Sequence, residues 1–145
     1  MSETHKMLAR RSLEEIWNRR NLDCIDELYA PDYIGHIAAR AEVIRGPRGL
    51  KQFAAMFQFA FPDIRFTIEE QIAEGDKVAS RWTVQGTQQS DFMGMAPSGE
   101  PLTLAGISIQ HFADHRIIES WDNWDALGML QGATSDMFEL LSMGV

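Results

Sequence analysis

The apolar period of this chain changes once, at Pro62, and that change limits the folds open to it. Before it, Leu50, Phe53, Ala54, Phe57 and Phe61 recur three and four residues apart, the stripe of a helix with one buried face. After it, Ile64, Phe66 and Ile68 alternate, the signature of a strand with one buried face. Pro62 disfavours helical geometry at Phe61 and ends the helix there. The alternation continues over residues 77–86, where Val78, Ser80, Trp82 and Val84 share a face, and again over residues 102–112 and 116–125. Gly75-Asp76 and Asp114-His115 mark tight turns, and residues 87–100, with Gly94, Pro97 and Gly99, read as a loop.

Ahead of Pro62 the pattern is helical. Residues 3–20 form one helix with Leu13, Ile16 and Trp17 inward, and residues 22–29 a short second helix broken by Pro31. Residues 33–43 read as irregular with some extended chain. Arg45-Gly46-Pro47 opens the third helix, since proline suits a first turn. The Met-rich remainder, to Val145, reads as a short helix or a partner-binding tail. Helices first and sequential strands after predict an α+β fold: a curved antiparallel sheet with the N-terminal helices on its concave face, a cone with one open mouth.

A length of 145 residues suits a single domain, residues 1–145. With 13 basic and 21 acidic residues the formal charge is −8. That balance argues against nucleic acid, which needs clustered Lys and Arg, and against anionic membranes. One cysteine, Cys24, excludes an internal disulfide and a cysteine metal cluster. The N-terminal residues lack the apolar core of a secretory signal, so a reducing, cytoplasmic setting is expected. The four histidines show no metal-ligand spacing, and no phosphate-binding glycine loop or nucleophile-elbow serine is present, so neither metal nor cofactor is expected.

Several short segments carry a family resemblance in order and spacing. They are Tyr29-Ala30-Pro31-Asp32-Tyr33, Arg45-Gly46-Pro47-Arg48-Gly49, Phe61-Pro62-Asp63, Gly86-Thr87, the run from Phe92 to Pro97, and the run from Phe112 to Asp122. Together they resemble the SnoaL-like polyketide cyclases of the NTF2-like superfamily, nearly over the length of the chain. The resemblance implies a cone-shaped α+β barrel that closes rings by an intramolecular aldol step without metal or cofactor. It implies a carboxylate acid/base on the last strand, here Asp122, and homodimers or higher homo-oligomers. It also implies a histidine where this chain has Ser108, and a His-Gly in the loop where Gln88-Gln89-Ser90 stands.

Asp122 is the candidate catalytic residue. Burial in an apolar pocket raises a carboxyl pKa, and Trp121 and Trp124 flank it in sequence as sources of desolvation. The alternative is a carboxylate capping a strand end or paired with an arginine. Register decides the place of Ser108. A two-residue turn at 114–115 sets it opposite Trp121, whereas a longer turn or one bulge sets it opposite Asp122. Candidate substrate contacts are Ser108, His36 at the mouth, Gln88, and the wall residues Trp82, Trp124, Phe57 and Met93. Each is also open to a structural role in sheet, core or surface. The leading function is a cofactor-independent cyclase or isomerase acting on a small hydrophobic carbonyl compound. The alternatives are a non-catalytic binder of a small hydrophobic ligand and an epoxide-hydrolase-like enzyme. Many apolar strand residues and few helices also predict a homodimer, packed through the outer sheet face or the Met-rich tail.

Overall fold

The computed structural model describes residues 2–38, 41–92, 96–97 and 99–124. The predicted pocket residue Met93 and the Met-rich tail lie outside the described residues.

The first predicted helix is two pieces. Helix α1 spans Ser2–Leu13 and runs into a π-helical turn, Glu14–Asn18. A wider turn adds a residue to the helical repeat and re-aims the side chains beyond it, a device common beside functional sites. Here it turns Trp17 against Phe53, Phe57 and Phe66. Asn18, in the same turn, clasps the backbone of Phe66: its Nδ2 donates to the carbonyl at 2.8 Å and its Oδ1 accepts the amide at 2.6 Å. Helix α2 spans Cys24–Leu28 and helix α3 spans Gly46–Ala60, with Pro47 in its first turn as expected.

Six strands form one curved, unclosed sheet: β1 Tyr29–Ile37, β2 Val43–Arg45, β3 Arg65–Glu74, β4 Lys77–Thr87, β5 Pro101–Ala113 and β6 Arg116–Trp124, in the order β2-β1-β6-β5-β4-β3. Strands β3 to β6 are the predicted antiparallel meander. Of residues 33–43, read as irregular with some extended chain, residues 33–37 belong to β1, which starts directly after the last residue of α2 and pairs parallel with β6. Its local sequence does not alternate cleanly, because its place is set by that long-range pairing.

The helices lie on one face of the sheet. Ala9, Ile16, Ile25, Leu28, Leu50 and Ala54 from the helical side form one buried cluster with Tyr33, Val78, Phe112 and Ile117 from the strands. Removing apolar area of this kind from water is worth roughly 25 cal/mol per Å², the main force holding the helical layer to the sheet. A second, smaller cluster gathers Ala60, the last residue of α3, with Phe61, Ile64 and Phe92. Between the two clusters the inner face is left unfilled.

Asn18→Ala removes both bonds to the Phe66 backbone. We expect a loss of about 1–3 kcal/mol in urea unfolding with an unchanged m-value. An unchanged midpoint would show that the π-turn is held by packing alone.

Candidate active site

The unfilled space is a cavity of about 90 Å³. Trp17, Phe53, Phe57, Phe66, Trp82 and Trp124 make much of its wall, and Asp122 is its one carboxylate among the described residues. The hairpin between β5 and β6 puts it there. Asp114 and His115 both have left-handed backbone, with φ of 51° and 63°, and so make a two-residue turn. Left alone, that turn would set Ser108 opposite Trp121. Ile118 intervenes as an extra residue: Phe112 pairs with Ile117 but His111 pairs with Glu119, and Ser108 therefore faces Asp122. The bulge leaves Ile117 and Ser120, three apart, both buried on the inner face.

Beyond the bulge the alternation sends Ser120, Asp122 and Trp124 to the cavity. Trp121 points the other way, stacked on His36 at 5.4 Å between ring centres, while His36 Nε2 meets a Glu119 carboxylate oxygen at 2.7 Å. His36 is therefore not in the cavity wall, and Trp121 does not desolvate Asp122; Trp124 and the helix aromatics do. Gln88 is not in the wall either, and its Nε2 donates to the Ser90 carbonyl at 2.9 Å. Ser108, Trp82, Phe57 and Trp124 are brought together with Asp122.

Two hydrogen-bonded chains converge on the Asp122 carboxylate. Trp82 Nε1 donates to Ser108 Oγ at 2.9 Å, and the Ser108 hydroxyl donates a hydrogen bond to Asp122 Oδ1. On the other side the Ser120 hydroxyl lies close enough to Asp122 to favour its anion, and it shares a hydrogen bond of 2.6 Å with the Tyr33 hydroxyl. Each aromatic reaches its serine by leaning across a glycine. Trp82 lies over its cross-strand partner Gly106, where a Cβ would come within 2.5 Å of Trp82 Cζ2. Tyr33 lies over Gly35, the partner of Ser120, where a Cβ would stand 3.0 Å from Tyr33 Cζ.

Burial dominates the electrostatics. It raises the Asp122 pKa from 3.8 to about 6, against the two serine hydroxyls, which favour the anion and lower it. The side chain keeps some accessible surface, and that surface opens on the cavity. Burial also pushes the phenols of Tyr29 and Tyr33 well above their ordinary range, so both stay neutral. Among the described wall residues Asp122 is left as the one group able to exchange a proton near neutral pH.

An open, curved α+β sheet with helices on one face and a buried carboxylate on its last described strand has the NTF2-like fold, and solved structures of similar shape agree. A SnoaL-like polyketide cyclase candidate from Jannaschia sp. CCS1 superimposes with a TM-score of 0.83 at 22% identity, over 90% of this chain and 91% of that one. One from Acidithiobacillus ferrooxidans gives 0.80 at 26%, over 91% and 95%. IdmH, a candidate polyketide cyclase from Streptomyces antibioticus, gives 0.69 at 33%, over 81% and 90%. No curated protein matches the sequence significantly. The sequence pattern of the SnoaL-like polyketide cyclases matches residues 7–132, and the chain belongs to that family. No helix among the described residues is long and apolar enough to cross a membrane.

The raised Asp122 pKa ties stability to pH. Between about pH 4 and pH 6 the folded state keeps a proton that the unfolded chain has lost, so stability falls as pH rises through that window. Above it the ionised group costs roughly 3 kcal/mol. Asp122→Asn should be the more stable protein at pH 7.5, by up to that amount, with the gap closing towards pH 4. A gap independent of pH in paired urea titrations would contradict the assignment.

Proposed function

We propose that this protein is a cofactor-independent acid/base enzyme that closes or isomerises a small hydrophobic carbonyl compound, with Asp122 carrying the proton. The observation that supports it is the one carboxylate among the described wall residues, held by the Ser108 hydroxyl against an apolar cavity, with a pKa of about 6. A base of that strength is mostly ionised at neutral pH and stronger than a carboxylate in water. Family membership supports ring closure on a polyketide-like substrate.

One titrating group must both take and return the proton. In the proposed step Asp122 removes a proton from the carbon next to a substrate carbonyl, and the C–H electrons move to give an enolate. In a cyclase the enolate carbon attacks a second carbonyl of the same molecule, and the new alkoxide takes the proton back from Asp122. In an isomerase the proton returns to a different carbon. Ser108 starts with its proton committed to the carboxylate, so its first task is to orient Asp122. Once Asp122 is protonated the demand on that hydroxyl falls, and it is free to turn to the enolate oxygen. Trp82, donating to Ser108, positions it throughout.

A second reading, a ligand carrier without catalysis, is favoured by Ser108 standing where the resemblance implies a histidine. The two readings separate in a proton-exchange assay. With 2-tetralone in D₂O, the enzyme should accelerate α-proton exchange, with kcat/KM rising through a pH near 6. Asp122→Asn should lower kcat about 10²–10⁴-fold while KM changes little. No acceleration over buffer, or an unaffected Asn variant, would favour the carrier.

We further propose a homodimer formed through the outer sheet face. Ile107 and Ile109 are 48% and 40% exposed there, on the face that carries His36 and Trp121. A second copy of the chain would cover them, since self-complementary apolar faces favour two-fold pairing. Light scattering should give twice the 16.4 kDa chain mass, and Ile107→Glu should halve it. A monomeric mass for the unaltered protein at micromolar concentration would overturn this.

A further inference from the structure

The deep end of the cavity holds a polar atom that the proposed chemistry does not use. Gln110 lies two residues along β5 from Ser108, on the same face, and lines the cavity while only 3% exposed. Its Nε2 donates to Ser12 Oγ at 3.0 Å, with a longer approach of 3.5 Å to the Tyr29 hydroxyl. Its Oε1 is buried without a hydrogen-bond partner. Ser12 Oγ donates to the Ala9 carbonyl at 2.7 Å and accepts from the Gln110 NH₂. An orphaned buried acceptor is costly, and native proteins rarely keep one unless something else supplies the donor.

We infer that Gln110 Oε1 is a recognition point for the ligand, and that the bound molecule presents an O–H or N–H donor to it at the deep end of the cavity. The inference rests on the proposal that this cavity binds the substrate, and it narrows the substrate class. Two strand residues separate Gln110 from Ser108, which faces Asp122, so the donor lies ~7 Å from the proton that Asp122 moves. The ligand is then a carbonyl compound with a hydroxyl or amino group remote from the carbon that loses its proton. A phenol or enol of a partly cyclised chain has this form. The neutral Tyr29 beside Gln110 leaves the acceptor without a competing charge.

Equilibrium dialysis with 2-naphthol and 2-methylnaphthalene tests this. The two probes match in shape and differ in the donor. The unaltered protein should bind 2-naphthol about tenfold more tightly, the worth of one ordinary hydrogen bond to a waiting acceptor. Gln110→Met keeps the side-chain length and removes the strong acceptor, and there the preference should vanish or reverse in favour of the more apolar probe. Asp122→Asn should keep the preference. Equal binding of the two probes by the unaltered protein would overturn the inference without recourse to any variant. So would a preference that survives in Gln110→Met. A preference lost in Asp122→Asn but kept in Gln110→Met would mean that Asp122 reads the donor: the inference would fall and the catalytic proposal would stand. Binding of neither probe would count against the cavity as a ligand site, and both would fall together.

Discussion

An ionised carboxylate loses its hydration when it faces an apolar cavity, and this protein places Asp122 in that position. The loss has to be offset by donors with fixed directions, and the sheet supplies them from four strands. Ser108 and Ser120 come from β5 and β6, and behind them stand Trp82 on β4 and Tyr33 on β1. The result is a compromise: enough donors to keep the anion accessible, too few to restore the acidity of a carboxyl in water. Each later feature of the site follows from this balance. The parallel pairing of β1 with β6 brings in Tyr33, the Ile118 bulge brings Ser108 opposite Asp122, and the helical layer keeps bulk water from the inner face.

Much of the fold was legible because it is written in local periods. The switch at Pro62, the stripe on α3 and the alternation along β4 and β5 each depend on neighbours in sequence, and each appears as read. Strand β1 was not legible, because its partner lies more than 80 residues away and pairing decides its conformation. The π-turn was not legible either, since no residue type marks where a helix widens.

The site was partly legible. Asp122 and Ser108 were found, but their relation hinged on a bulge at Ile118, a residue that does not announce one as a glycine would. Trp121 and Trp124 lie three residues apart, so alternation puts them on opposite faces, and the outward phase of β1 takes His36 with Trp121. Gln110 was missed although a signal existed. Leu104, Gly106, Ser108, Gln110 and Phe112 occupy the inward phase of β5, and two polar residues in that phase meant that the cavity floor was not simply apolar.

Gly35 and Gly106 have no side chain to offer a substrate, yet the aromatic side chains reach their serines only across them. A one-base change from a glycine to an alanine codon at either position would push Tyr33 or Trp82 aside and loosen the grip on Ser120 or Ser108, making Asp122 a weaker acid without touching it. Reactivity in this fold can thus drift through positions that look inert. Relatives with the same carboxylate need not share its basicity, and the two bare spots on the sheet are where that divergence would be recorded.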